Sequence, residues 1–392
     1  MTNEQFIAQN KDADVHALAL AKVPPGIDLH YCLQQIEGRQ IAQRKLPSWA
    51  KTEGITYPVK LSLEQCSSEQ TALYKQQLVK RLLPEGRQNM ADLTGGFGID
   101  FSFLAQVFDK ADYVERNEQL CEIARHNFPL LGLKDAHVHS MTSEKFTDEM
   151  GNFSLIYLDP SRRDANGRKM VALSDCSPDI EALQDTLLSH APLVVVKLSP
   201  MLDIQDSLRR LPSVSEVHVV SVDGECKEVL LVLCREKGSV TYHCTNISAK
   251  TQTFSTDTQN VEPIIAPCPE RYLYEPNASI MKAGCFNEVA NTFGVSALAP
   301  NSHLFVSDSL VVDFPGRAFH IDAITTLNKR ELRTALAGIT QANITVRNFP
   351  LTVAQLRSRL KLSEGGSTYI FATTLADKSH VLLICRKTST PV

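Results

Sequence analysis

Asp92-Leu93-Thr94-Gly95-Gly96-Phe97-Gly98-Ile99-Asp100 puts three glycines and three oxygen-bearing side chains within nine residues. Glycines in such a stretch let backbone N–H groups come close to a ligand, and a helix starting behind them adds a partial positive charge. The dinucleotide pattern G-x-G-x-x-G needs a third spaced glycine, but here Asp100 and Phe101 follow soon after Gly98, so a nucleoside site fits better than a pyrophosphate cradle. Glu115, followed by Arg116, comes 17 positions after Gly98, where a carboxylate can accept two hydrogen bonds from the vicinal hydroxyls of a ribose. Asp159-Pro160-Ser161-Arg162-Arg163-Asp164 follows the apolar run Leu155 to Leu158. Asp159 would then sit at the carboxyl edge of a sheet, where open α/β sheets bind ligands. Taken singly, the glycine stretch could be a tight connection, Glu115 a solvated strand end, and Asp159-Pro160-Ser161 a turn. Their order on consecutive strands points to a nucleoside-containing cofactor.

The surrounding pattern supplies those strands. Short apolar segments at Met90–Leu93, Asp112–Glu115, His137–His139, Phe153–Leu158 and Leu193–Leu198 alternate with stretches long enough for helices, such as Gln119–Phe128 and Ile180–Leu188. This is the texture of a parallel sheet wound with crossover helices. Val217–Val222 and Glu228–Cys234, joined by residues 223–227, are too close for a crossover and should form an antiparallel hairpin at the edge. Upstream, Phe6–Leu20, Leu29–Ala42 and Thr71–Leu83 have helical spacing, with Ser67 and Gln70 at capping-box distance. Downstream, residues 239–270 are Ser- and Thr-rich and read as edge strands or a connection. Then come a helix at Ala278–Phe293, a strand at Val311–Phe319 broken by Pro315-Gly316, a helix at Ile324–Ala337, a strand at Ile344–Asn348, a helix at Thr352–Leu360, and strands at Thr368–Thr373 and His380–Cys385.

The D-x-T-x-G-x-G-x-D run, carried by Asp92, Thr94, Gly96, Gly98 and Asp100, resembles the first motif of class I S-adenosylmethionine-dependent methyltransferases, especially RNA-modifying members. The resemblance covers about residues 86–236 and implies a Rossmann-like α/β fold of five parallel strands plus an antiparallel hairpin. It also implies S-adenosylmethionine as cofactor, with Asp92, Thr94, Gly95, Gly96, Gly98 and Asp100 around its amino-acid part. Glu115 and Arg116 would lie at the ribose, Met141 near the adenine, and Asp159 would also contact the cofactor. Met141-Thr142 stand where many members carry an acid. The helical segment with Leu61 to Glu69, the Asp159 loop and the basic tail look like a bacterial family of methyltransferases with C-terminal ferredoxin-like and THUMP-like domains. That implies four regions: an N-terminal helical domain (1–85), a cofactor-binding Rossmann-like domain (86–238), a connecting segment with a ferredoxin-like unit (239–320), and a basic THUMP-like domain (321–392). It also implies RNA, tRNA or rRNA, as partner. In amine-methylating relatives the loop after strand four supplies a polar side chain and a proline carbonyl. Asp159 and Pro160 match those roles, with Ser161 and Arg162 completing the candidate catalytic loop. An aromatic residue often stands where this chain has Arg162.

Charge and cysteines bound the rest. With 40 basic against 44 acidic residues, the net charge is −4, which argues against a protein that coats nucleic acid over its whole surface. From Asp322 onward, however, ten Lys or Arg face four Asp or Glu, a local +6 against −10 for the rest. Lys329, Arg330, Arg333, Arg347, Arg357, Arg359 and Lys361 either grip RNA phosphates or are ordinary solvated helix faces. Ten scattered cysteines without a C-x-x-C pair suit a reducing cytoplasm rather than a zinc site or disulfide framework. No run of about 20 apolar residues occurs, so a soluble, non-membrane protein is expected. His137 and His139 resemble half a metal site without a third ligand, and no metal is expected. Arg163 and Asp164 could be a surface ion pair, and Lys197 a snorkelling strand-end lysine or a substrate contact. The competing functions are methyl transfer to an exocyclic amine of an RNA base, methyl transfer to a protein or small molecule, and non-catalytic cofactor or RNA binding.

Overall fold

The computed structural model describes residues 1–162, 173, 176–236, 238–257 and 261–388. Arg163 and Asp164 lie outside the described residues, as does the side chain of Arg162. The chain divides into two compact units, one of residues 1–216 and 229–238 and one of residues 217–228 and 239–392.

The first unit opens with α1 (Asn3–Gln9), α2 (Val15–Ala19), α3 (Leu29–Lys45), α4 (Pro47–Lys51), α5 (Lys60–Gln65) and α6 (Glu69–Leu82). The expected helix over Phe6–Leu20 is two helices, because side chains compete for its backbone. Asn10 Nδ2 donates to the Phe6 carbonyl at 2.8 Å, and Asp14 caps His16 N and Ala17 N at 2.8 and 2.9 Å. Trp49 is 1% exposed and meets Phe97 edge to face, so the N-terminal helices share a core with the glycine loop.

Strands β1 (Asn89–Asp92), β2 (Lys110–Glu115), β3 (Ala136–Ser140) and β4 (Leu155–Leu158) follow, with α7 (Ile99–Ala105), α8 (Glu118–Leu130) and α9 (Ser143–Glu149) between them. Next come a two-residue ladder of β5 (Ser161–Arg162) with β6 (Cys176–Ser177), α10 (Ile180–His190), β7 (Leu193–Leu198) and α11 (Ile204–Arg210). The five long strands are parallel in the order β7-β4-β1-β2-β3, the α/β sheet expected. Leu155–Leu158 and Leu193–Val196 are buried without alternation because helices cover both faces. The reversal of order between β1 and β4 opens the crevice where the site lies. A hairpin of β8 (Val214–Val222) and β9 (Glu225–Cys234) adds β9 antiparallel to β7. Its connection is shorter than expected, only Asp223-Gly224, both at positive φ (+49° and +81°), the two-residue turn that matches strand twist.

The second unit holds the antiparallel pair β10 (Thr241–Ile247) and β11 (Gln252–Asp257). It continues with β12 (Tyr272–Pro276), α12 (Ala278–Ala283), α13 (Phe286–Phe293), β13 (Ser296–Ala297), β14 (Phe305–Ser307), β15 (Gly316–Thr325), α14 (Lys329–Ala335), β16 (Asn343–Arg347), α15 (Val353–Leu360), β17 (Thr368–Thr374) and β18 (His380–Lys387). Seven of these strands form one sheet in the order β13-β14-β12-β15-β18-β17-β16. The single helix expected at Ala278–Phe293 breaks at Gly284, whose φ of +75° ends α12. No strand covers 311–315: β15 starts at Gly316, where a Cβ would stand 2.1 Å from the Glu275 carbonyl. Ile324 and Thr325, expected to begin a helix, instead pair with Leu383 and Leu382, so the ladder overrides local helical spacing. No described helix is long and apolar enough to cross a membrane.

Candidate active site

β1 ends at Asp92, 1% exposed, whose carboxylate accepts the Thr94 N–H at 2.9 Å and so starts the glycine turn. Gly95 N donates to the Val114 carbonyl at 2.9 Å, and Gly96 N to Glu115 Oε2 at 2.9 Å. A Cβ on Gly95 would lie 2.1 Å from the buried Tyr113 ring, so only glycine lets the loop lie on β2. Gly98 closes the turn at φ +84° as the N-cap of α7. Gly95→Ala should therefore displace the loop from Tyr113, destabilising the protein by about 1–3 kcal/mol as an overpacked site. Thermal unfolding together with calorimetric titration of S-adenosylhomocysteine checks this, and an unchanged midpoint with unchanged binding would contradict it.

Each oxygen of the Glu115 carboxylate accepts one backbone N–H, Oε2 from Gly96 and Oε1 from Asn117 (2.8 Å). Its carboxylate, the exposed Arg116, Met141, Thr142 and Ser143 line a cleft of about 380 Å³ that also reaches Asp159, Ser161 and Lys197. The Ser143 hydroxyl donates to the Leu93 carbonyl at 2.6 Å, pinning the start of α9 to the glycine loop. Asp159 N donates to Thr94 Oγ1 at 2.5 Å, which couples the β4 loop to the β1 loop. Pro160 is buried and Ser161 exposed. The nominated residues Asp92, Thr94, Gly95, Gly96, Gly98, Asp100, Glu115, Arg116, Met141, Asp159 and Ser161 thus border one cleft.

Behind the cleft lies a charge network that the spacing did not announce. Asp100 Oδ2 accepts from Ser67 Oγ (2.7 Å), the Tyr157 hydroxyl (2.8 Å) and Lys197 Nζ (3.4 Å), while Lys75 Nζ stands 3.2 Å from its Oδ1. Lys197 Nζ also reaches Asp159 Oδ2 at 2.5 Å and Ser67 Oγ at 3.1 Å. Lys197 does not snorkel to solvent: its side chain is only 12% exposed, bridges two carboxylates and borders the cleft. Strand register explains the contact, since Leu158 faces Val196 across β4 and β7 and the next residues along are Asp159 and Lys197. Ser67 is likewise not a helix cap. Ser68 caps α6 by accepting from Thr71 N at 3.3 Å, which leaves Ser67 to turn inward. Lys75 is 1% exposed, on the same helix as buried Ala72, Leu78 and Val79.

Burial alone would push the Asp100 carboxyl up, but the two ammoniums and the Ser67 and Tyr157 hydroxyls hold it well below the usual carboxylate range. Asp92 shows the opposite balance, burial driving it well above that range against the Thr94 N–H. A folded-state value above the unfolded one means that ionised Asp92 costs stability at neutral pH. Asp92→Asn, which keeps an acceptor for Thr94 N, should therefore be at least as stable as the wild type near neutral pH. Asp92→Ala, which removes it, should lose about 1–3 kcal/mol. Urea unfolding separates the two, and equal losses in both would contradict the balance.

His139 Nε2 meets Asp112 Oδ1 at 2.6 Å and His137 Nδ1 lies 3.8 Å from it, so this pair shares a carboxylate neighbour. In the C-terminal tail Arg347 Nη2 pairs with Glu275 at 3.1 Å and Arg357 Nη1 donates to the Ala342 carbonyl at 3.1 Å. Lys329, Arg330, Arg333, Arg359 and Lys361 are exposed.

Residues 272–315 match the ferredoxin-like domain family and residues 316–387 the THUMP domain-like family. The chain is similar to a candidate methyltransferase from Porphyromonas gingivalis W83, at 33% identity and a TM-score of 0.87 over 99% of this chain and 98% of that one. A candidate RNA methyltransferase from Pyrococcus horikoshii matches at 12% identity and a TM-score of 0.35, over 48% of this chain and 94% of that one. An O-methyltransferase from Bacillus cereus in complex with S-adenosylhomocysteine matches at 13% identity and a TM-score of 0.34, over 52% and 98%. Scores this low assign no reaction. No curated protein matches the chain.

Proposed function

The chain belongs to the same methyltransferase family as the Porphyromonas gingivalis protein, and from that premise we propose that it transfers the methyl group of S-adenosylmethionine to RNA. The cleft supports the cofactor. Gly96 lies open, with only the Thr94 carbonyl, at 3.8 Å, near where a Cβ would be, and Glu115 is preset by two N–H donors to receive ribose hydroxyls. Thr94, Gly95 and Gly98 would shape the loop against the amino-acid part, and Arg116 and Met141 would border the nucleoside. When bound, the cofactor supplies an activated methyl group on a sulfonium. The protein's part is to align the acceptor and exclude water, and positioning alone can be worth on the order of 7–11 kcal/mol.

RNA as acceptor rests on the THUMP-like match together with the five exposed cations at Lys329, Arg330, Arg333, Arg359 and Lys361. The acceptor atom suggested by the sequence is an exocyclic base amine, its N–H groups accepted by Asp159 and the Pro160 carbonyl. The Lys197 ammonium on Asp159 favours a second reading, a hydroxyl. Labelled methyl groups supplied with the purified protein to total RNA from a strain lacking this gene should enter RNA. Reversing Lys329, Arg330 and Arg333 to Glu should weaken RNA binding by at least about tenfold and flatten its salt dependence by about one unit of slope per lost phosphate contact. Label entering protein or small molecules instead, with cofactor bound normally, would replace RNA as the acceptor.

A further inference from the structure

We propose that the acceptor atom is an oxygen, the ribose 2′-hydroxyl of RNA, selected by the Lys197–Asp159 pair at the mouth of the buried network. This inference rests on the reading of RNA as acceptor and decides which of its atoms is methylated.

Charge distinguishes the two acceptors. Lys75, Asp100, Lys197 and Asp159 carry two positive and two negative charges in sequence: 3.2 Å from Lys75 to Asp100, 3.4 Å from Asp100 to Lys197, 2.5 Å from Lys197 to Asp159. The last carboxylate thus reaches the cleft with an ammonium already on one oxygen. Its Oδ1 has no hydrogen bond among the described residues. An exocyclic amine becomes cationic as its nitrogen bonds to the methyl carbon, so a site for it should present acceptors and no positive charge. Here a second cation would form beside Lys197, whose side chain is only 12% exposed and so weakly screened by water. A hydroxyl moves the other way. Its oxygen gains negative charge as its proton leaves, and a preorganised ammonium stabilises that charge.

The surface around Asp159 agrees. A flipped base is held by stacking on aromatic rings. The aromatic side chains lining this cleft, Phe97 and Tyr157, are 5% and 1% exposed, so among the described residues neither offers a stacking face. Tyr157 instead gives its hydroxyl to Asp100. A ribose hydroxyl needs no extruded base and is present in every nucleotide of RNA, the only hydroxyl an internal nucleotide offers.

The hydroxyl oxygen forms the new bond to the methyl carbon, the carbon–sulfur electron pair leaves on sulfur, and the hydroxyl proton passes to Asp159 Oδ1. Lys197 stays protonated throughout and is held in place by Asp100, which Lys75 and the Ser67 and Tyr157 hydroxyls keep ionised.

The test uses the full-length protein, labelled S-adenosylmethionine and RNA from a strain lacking the gene, followed by alkaline hydrolysis of the product. A phosphodiester beside a methylated 2′-oxygen resists alkali, so label in alkali-resistant dinucleotides is the expected result. Label in mononucleotides would overturn the proposal, assign a base position and leave the RNA reading standing. No label in RNA would overturn both. Lys197→Met should lower transfer by about 10²–10³-fold while binding S-adenosylhomocysteine as the wild type does. Lys197→Arg, which keeps the charge, should recover part of that loss. If the Met variant loses transfer only in parallel with cofactor affinity and thermal midpoint, and Arg rescues nothing, Lys197 is a structural residue and the proposal fails.

Discussion

Asp159→Asn is expected to bind S-adenosylhomocysteine normally and to turn over about 10²–10⁴-fold more slowly, the range for removing a positioned proton acceptor. The substitution keeps the volume of the side chain. Its backbone N–H to Thr94 is untouched, so the two loops stay joined. What it removes is the charge beside Lys197 and the capacity of Oδ1 to take a proton. The loss should fall on kcat, because an interaction made only as the proton moves does not contribute to ground-state binding. Single-turnover rates together with calorimetric cofactor titration would read the two separately. A variant with near-normal turnover would remove Asp159 from the chemistry and leave the loop a turn.

The second large effect concerns stability. Asp100→Ala takes a carboxylate from between two nearly buried ammoniums, and breaking such an arrangement from one side destabilises by about 3–5 kcal/mol. Asp100→Asn should lose less, since it can still accept from Ser67 and Tyr157. The pH dependence follows from the sign of the shift. The folded-state value is below the unfolded one, so the stabilisation is present above the ordinary aspartate range and disappears as pH falls through and below it. In urea titrations the gap between wild type and Asp100→Asn should be constant from about pH 7.5 to about pH 4.5 and narrow only below about pH 4. A gap that narrowed on going from acid to neutral pH would mean that burial, not the lysines, governs this carboxyl.

What the sequence disclosed of this site was what local spacing can encode. Asp92 to Gly98, Glu115 and Asp159 each end a strand of one parallel sheet, and strand ends of such a sheet converge at its carboxyl edge whatever packs around them. Ser67, Lys75 and Tyr157 escaped, or were given the wrong role, and Lys197 stayed between two roles, because their meaning depends on which face of an element is covered. Ser67 looked like a cap because Ser68 beside it is one. Lys75 reads as an ordinary solvated helical lysine until the element covering it is known. One signal was available: Tyr157 lies two residues before Asp159, hence on the same side of the strand. In the fold, the misjudged segments were those where local and tertiary preferences disagree. Asn10 and Asp14 divide a helix by their own side-chain bonds, whereas Ile324 and Thr325 follow their β18 partners against a helical pattern.

The hydrogen bond between Ser67 and Lys197 spans 130 residues of chain. Synthesis at about 5–20 residues per second puts on the order of ten seconds between the emergence of the first of these residues and the last. For most of that interval, from residue 100 onward, a nascent chain holds Lys75 and Asp100 but not the lysine that joins them to Asp159. The charge network is therefore completed only about halfway through translation of the 392 residues, and a ribosome-bound chain that stops short of β7 should present the glycine loop without a functional acceptor site.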